Sequence, residues 1–541
     1  MSAATAAGPD TPLSESQRKM LFWACFLALI ATAFGFIVRA LLIDTWGTQF
    51  GLTGTEKGQI FGVGLWPFAI SIILFSLIID RIGYGTAMVF AFVCHVASAI
   101  MTITATGYWS LYWATFIVAL ANGTVEAVIN PVVATLFPRE KTKWLNILHA
   151  GWPGGLVLGG IIAIAMGDVD WRMKVGLLLI PTVGYGLLML GKRWPVQERV
   201  AAGVSYKEML SEFGMIGAFI VCWMMLGEII NVAKSAFPAF AEMTAGLPQP
   251  LSEPLALGFL AAIPLAILFG AGIGWSPGRP LFIGMLLIMI PLATTELGTD
   301  SWVTSLMTPQ MVALNMDPGW VLVYTSAIMM VLRFFAGPIV HRISPLGLLA
   351  ASAFVAMCGL LFLSKAEGAM ILIAATLYGF GKTFFWPTML GVVAEQFPRG
   401  GALTLNATGG VGMLGVGVVG AVFLGYIQDT SVDRHLQTQQ PAIHQQVRTE
   451  KQWLFGSYPT VNADQVASLP GDQKKTIEDI SNVAKKDALS TVAIFPLIML
   501  VSYLALLGYF KSRGGYKAEV LAGHAAEDQK FTGGIEAPVE A

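Results

Sequence analysis

Three pairs of side chains in this sequence sit four residues apart inside apolar runs: Glu126 with Asn130, Glu296 with Asp300, and Lys382 with Trp386. On a helix that spacing puts both members of a pair on one face, about 40° apart. Asn146 and His149 fall within one turn of each other in a further apolar run, followed by Trp152. Acids, a base, amides and an imidazole on inward faces can hydrogen-bond a polar solute, hold or release a cation at a carboxylate, and exchange ion-pair partners. Trp302 and Trp386 would add flat apolar surfaces on which a sugar ring stacks. Glu126 is the expected titrating or cation-binding group, and Lys382 is expected to neutralise Glu296 or Asp300. The same residues would also serve as a buried charge network holding two helix bundles together. Catalysis is not expected: there is no H-E-x-x-H, no nucleophile elbow and no cluster of histidines. Gly379 to Thr383 lacks the spacing of a phosphate loop, so ATP-driven pumping has no motor, and neither a metal nor a cofactor is expected.

The elements that must carry these residues follow from composition. Of 541 residues, 12 % are Asp, Glu, Lys or Arg and 55 % are hydrophobic, against roughly 25 % charged in soluble domains. Such a chain has more apolar surface than a water-soluble fold could bury, and disorder requires the opposite composition. A net charge of −1 gives no field to attract nucleic acid. The four cysteines lie in apolar stretches without ligand or disulfide spacing.

A helix crosses the hydrocarbon with about twenty residues. Runs of that kind cover 20–42, 58–79, 86–106, 109–136, 145–167 and 173–191. Two more cover 216–237 and 254–275, and six follow at 280–308, 319–340, 346–364, 368–394, 403–427 and 489–510. The expected fold is an all-α integral membrane protein of fourteen spans, arranged six, two and six. Lys and Arg in short loops favour the side of the termini by eleven to four, which places both termini in the cytoplasm. The long segment 428–488 lies on the other side, with a helical cap expected from Lys474 to Leu489.

Sorting all Lys and Arg into loops and tails leaves Arg39, Lys234, Arg333 and Lys382 inside spans, with Glu126, Glu228, Glu296 and Asp300 among the acids. Each costs about 2.5–3.5 kcal/mol at a helix centre on insertion scales, so each marks a cavity, a partner or a function. Arg39 and Lys234 stand towards helix ends, where snorkelling competes with function. Glu228 and Lys234 are read as local partners. Arg333 is read as a gating or structural residue.

Several stretches resemble a known family. Asp80-Arg81-Ile82-Gly83-Tyr84-Gly85 is similar to the D-R-x-G-[RK] loop of the major facilitator superfamily, where it acts as an inner latch. Gly337-Pro338-Ile339-Val340-His341-Arg342 occupies the corresponding place in the second half, without the acid. Asn122 to Pro131, containing Gly123, Glu126, Asn130 and Pro131, resembles the fourth-helix signature of fucose/sugar–proton symporters. Leu145-Asn146-Ile147-Leu148-His149 resembles the start of their fifth helix, and Glu296 to Trp302 their acid-bearing seventh. That resemblance implies a major-facilitator-like 6+6 bundle with two additional central helices, and a helix-4 carboxylate at Glu126 that binds sugar or couples a cation. It also implies an acid in the first helix, where this chain has Arg39-Ala40.

The expected layout is a tail 1–19, a six-helix bundle 20–191, a linker 192–215, inserted helices 216–275, a second bundle 276–510 and a tail 511–541. Function is expected to be secondary transport of a small polar solute, a sugar or related polyhydroxyl compound, by alternating access with H+ or Na+ coupling. A nucleoside, organic anion or peptide carrier, or a non-transporting sensor, are the alternatives. The expected site is Glu126, Asn130, Asn146, His149, Glu296, Asp300, Trp302, Lys382 and Trp386, with Asp80, Arg81 and Arg333 in gating. The expected partners are the solute, a coupling cation and the lipid bilayer, with no nucleic acid, in a monomer of the plasma (inner) membrane.

Overall fold

The computed structural model describes residues 13–521 apart from 53, 318, 454 and 455. Among the described residues, twelve helices are long and apolar enough to cross a membrane. Six form the first bundle: α1 (Glu15–Phe50), α2 (Glu56–Ile82), α3 (Tyr84–Ile103), α4 (Tyr108–Leu136), α5 (Lys141–Ala165) and α6 (Trp171–Met189). The inserted pair is α7 (Tyr206–Ala236) and α8 (Pro254–Ile273). The second bundle begins with α9 (Pro280–Gly298), which continues through a turn into α10 (Asp300–Ala313). The shorter α11 (Trp320–Phe334) and the long α12 (Ala336–Leu363) follow. The segment expected as one span at 368–394 is two half-helices, α13 (Met370–Lys382) and α14 (Phe385–Gln396). Then come α15 (Pro398–Gln439) and α16 (Gly471–Ser512). With α11 and the α13–α14 pair added to the twelve, the arrangement is compatible with fourteen spans.

Helix starts follow ordinary capping chemistry. Ser14 accepts from Gln17 N–H while the Gln17 side chain reaches back, and Ser205 and Glu208 repeat the arrangement at α7. The α7–α8 hairpin packs tightly, because Gly227 and Gly258 face each other across it. The backbone of α7 leaves helical geometry at Gly214, where φ is 71°. There Met215 and Ile216 N–H bond to the carbonyls of Ser276 and Pro277, tying the entry and exit of the insertion together.

The segment at 428–488 is more ordered than a polar loop with one helix. α15 runs on to Gln439, α16 begins at Gly471, and a short antiparallel hairpin, β1 (Arg448–Trp453) with β2 (Gly456–Val461), lies between them. Val432, Leu436, Ile443, Val447, Ile477, Ile480 and Ala484 form a separate small core there. Among the described residues this two-stranded sheet is the exception to an otherwise helical fold.

Candidate functional site

Residues of α4, α5, α9, α10, α11, α13 and α14 come together at the contact between the two bundles. In α4, Asn130 Nδ2 donates to Glu126 Oε2 at 2.6 Å, the i,i+4 contact expected from spacing. His149 of α5 lies 3.0 Å from Asn130 Oδ1 through Nε2, and that nitrogen is 3.8 Å from Glu126 Oε2. All three side chains are buried. Glu126 therefore hydrogen-bonds an amide beside an imidazole and makes no direct ion pair with Lys or Arg among the described residues, while the Arg333 charge acts on it through space.

Glu296 of α9 has a different environment. Arg333 of α11 donates to its Oε1 at 2.8 Å, and the backbone N–H of Trp386 donates to its Oε2 at 2.9 Å. Lys382 pairs directly with Asp300 and also lies 3.3 Å from the Glu296 carbonyl. Arg333 and Glu296 are 2 % and 3 % exposed, whereas the Asp300 side chain is 40 % exposed. Glu296 sits in a single π-turn, Thr294–Gly298, which breaks the α-helical register where the chain leaves α9. Such turns recur at functional sites.

Proline places three of the backbone acceptors. A proline lacks an N–H and so releases the carbonyl four residues earlier. Pro387 releases Thr383 C=O, which takes Arg333 Nε at 2.8 Å. Pro153 releases His149 C=O, which takes Arg333 Nη1 at 2.8 Å. Pro131 releases Ala127 C=O, which takes Asn406 Nδ2 at 3.0 Å. Arg333 thus bonds one carboxylate and two freed carbonyls, one of them in each bundle. The break before Phe385 also leaves the first N–H groups of α14 free, and the Trp386 donor to Glu296 is one of these.

Most of the expected residues converge. Asn146 joins through Thr388 Oγ1, to which its Nδ2 donates at 3.1 Å. The Trp386 ring lies against α15, where a Cβ at Gly412 would come 2.7 Å from the indole, so only glycine fits there. The i,i+4 argument for Lys382 and Trp386 does not hold, because the helix breaks between them; the Trp386 backbone supplies the contact to Glu296. Arg333, expected in gating, lies at the centre of the network, and Lys382 neutralises Asp300 rather than Glu296. The Trp302 side chain is outside the described residues. Glu228 and Lys234 are not partners: Lys234 donates to Ser252 C=O at 2.8 Å and Asn231 approaches Glu228 at 3.4 Å.

Asp80 and Arg81 lie away from this network, at the end of the bundle that carries both termini. Asp80 pairs with Arg199 of the linker, and the Arg81 guanidinium stands 5.2 Å from the Tyr206 ring. The bonds that tie the two bundles there come from residues not foreseen. Lys141 bonds Glu198 at 2.6 Å and the Ala394 carbonyl at 3.1 Å, with both charged side chains buried. Glu395 accepts from Thr142 N–H at 2.9 Å and Thr142 Oγ1 at 2.6 Å, capping α5 from the opposite bundle. Tyr516, beyond α16, donates to the other Glu395 oxygen at 2.8 Å. Burial pushes the Tyr516 phenol well above its ordinary pKa, so it stays a donor.

An internal repeat would have located these residues. Val132-Val133-Ala134-x-x-Phe137-Pro138-Arg139 recurs as Val392-Val393-Ala394-x-x-Phe397-Pro398-Arg399, and Leu145-Asn146 recurs as Leu405-Asn406, all 260 residues apart. It makes α4 equivalent to α14 and the start of α5 equivalent to that of α15. The contacts obey it: Asn146 reaches α14 at Thr388, and Asn406 reaches α4 at Ala127.

Two helical bundles of related sequence, joined across a buried polar network in a chain with many apolar spans, define a multi-pass membrane transporter. The sequence model of the Major Facilitator Superfamily matches residues 24–295, and the chain belongs to that family. A "Probable sugar efflux transporter" of Helicobacter pylori (strain G27) is 21 % identical over 267 residues, covering 49 % of this chain and 68 % of that one. Among solved structures, the family transporter FucP in its outward conformation matches with a TM-score of 0.51 and 14 % identity, covering 89 % of this chain and 99 % of its own. The proton:xylose symporter XylE matches with a TM-score of 0.55 and 14 % identity, covering 95 % and 100 %. The fold and family agree with the resemblance to sugar symporters, and they make this chain a transporter rather than an enzyme.

Proposed function

We propose that the chain is a secondary active transporter of a small polar solute, a sugar or related polyhydroxyl compound, coupled to one monovalent cation, H+ or Na+. The observation that carries the reading is the charge balance of the central network. Glu126, Glu296 and Asp300 face Arg333 and Lys382, so three acids meet two bases with His149 neutral. Of the three acids, Glu126 is the one without a direct ion pair to Lys or Arg among the described residues. One cation at Glu126 neutralises the site, and the solute would then enter a balanced environment. Asn130, Asn146, His149, Asp300, Lys382 and Trp386 offer the mixture of donors, acceptors and ring face that a polyhydroxyl ligand takes up. The sugar efflux name of the Helicobacter pylori relative and the sugar-symporter motif in α4 support this choice.

Alternating access would proceed by breaking the Lys141, Thr142 and Glu395 bonds at the termini end while the bundles rock about the network. Asp80 and Arg81 would brace the linker during that motion. The Lys and Arg bias supports an orientation with both termini in the cytoplasm. The transporter would act as a monomer in the plasma (inner) membrane. A thermal-shift panel of pentoses, hexoses, nucleosides, organic anions and dipeptides on the purified protein tests the solute class. Stabilisation by a monosaccharide is expected; stabilisation by another class alone would overturn the sugar assignment.

A further inference from the structure

The first bundle holds a buried cation that neither the central network nor the bonds at the termini end use. Arg39 of α1 is 7 % exposed, and among the described residues no carboxylate pairs with it. A guanidinium stays protonated, and a buried charge without a counter-charge is strongly disfavoured. The chain has nonetheless shaped a place for it. The rings of Phe36 and Phe61 each lie 5.8 Å from Arg39 Cζ, and a Cβ at Gly64 would stand 2.9 Å from Nη2. Aromatic faces offset only part of the lost hydration.

Arg39 lines a cavity of about 30 Å³ between α1, α3, α4 and α6, together with Trp46, Ser98, Thr102 and Thr115. Two donors on its wall lack acceptors among the described residues: Arg39 Nε and the indole Nε1 of Trp46, which is 2 % exposed. Ser98 and Thr102 already donate their hydroxyl protons, to Ala114 C=O at 2.7 Å and Ser98 C=O at 2.8 Å. A water needs roughly 10–15 Å³ of such space, so a cavity of about 30 Å³ has room for a small ion and not for a sugar.

We propose that this cavity is a binding site for a small monovalent anion of the halide class, held by the Arg39 guanidinium and the Trp46 indole N–H. Fixed positive charge, two buried donors without acceptors and a wall free of carboxylates together specify a compact anion rather than a cation or a neutral solute. The site lies within one bundle and does not depend on the solute assignment.

The test uses the purified full chain in detergent, with chloride titrated against gluconate at constant ionic strength while thermal unfolding is followed. The wild type is expected to gain stability saturably with chloride, and bromide to substitute for it. Arg39→Gln should abolish the dependence. Trp46→Phe keeps the charge and most of the packing, and should raise the half-saturating chloride several-fold; it decides the matter if Arg39→Gln does not fold. A chloride-independent wild type, or an unchanged dependence in Trp46→Phe and any folded Arg39→Gln, would overturn the proposal.

Discussion

Glu126 and Glu296 are the same residue type, buried to a similar degree on opposite bundles, yet their surroundings differ. Glu296 is held by a guanidinium at 2.8 Å and a helix-terminal N–H at 2.9 Å, a direct ion pair across two helices. Glu126 is held by Asn130 at 2.6 Å, with His149 at 3.8 Å, and makes no direct ion pair with Lys or Arg among the described residues. One carboxylate is paired with an arginine; the other, without such a pair, is the one proposed for coupling. The asymmetry shows how a structure with repeated halves can give equivalent regions different work: the position in α14 equivalent to Glu126 by the 260-residue repeat is Trp386, whose backbone serves the anchor.

The comparison predicts unequal damage. Arg333→Ala should be the most destructive change, since it strands Glu296 and two freed carbonyls; a loss of about 3–5 kcal/mol is expected from breaking a buried pair. Thermal unfolding in detergent reads it, and adding Glu296→Gln to Arg333→Ala should recover part of the loss. No recovery would mean that the carboxylate is not the stranded group.

Asp300→Asn should cost less, about 1–3 kcal/mol, because Lys382 is buried but Asp300 is partly exposed and water can replace it. Pro387→Ala should cost about 0.5–1.5 kcal/mol in the same assay, by returning an N–H that competes with Arg333 for Thr383 C=O. A stabilising effect there would remove proline from the design of the anchor.

The local half of this site was legible in the sequence and the non-local half was not. Glu126 and Asn130 meet because helical spacing alone makes them neighbours. The partner of Glu296 could not be read that way: Arg333 is one charge on another helix, near a span end, and only packing brings it to the centre. Lys382 and Trp386 misled for a physical reason, since Pro387 three residues into α14 prevents the continuous helix their spacing assumes. Fourteen apolar segments and two bundles were readable from hydropathy, whereas the hairpin at Arg448–Val461 is short and polar and gave no comparable signal. The Lys141–Glu198 and Thr142–Glu395 bonds give no local signal, because their partners stand 57 and 253 residues apart in the chain. The internal repeat ending in Phe-Pro-Arg was the available sign that these residues face each other.

Glu126→Gln should change stability least, within about 1 kcal/mol, because a glutamine oxygen still accepts from Asn130. Its effect should fall on coupling. The direct measurement is uptake into proteoliposomes of the sugar identified by thermal shift, under an imposed H+ or Na+ gradient, beside solute exchange without a gradient. The account predicts that Glu126→Gln retains exchange and loses gradient-driven accumulation. Accumulation at the wild-type level in that variant would contradict it.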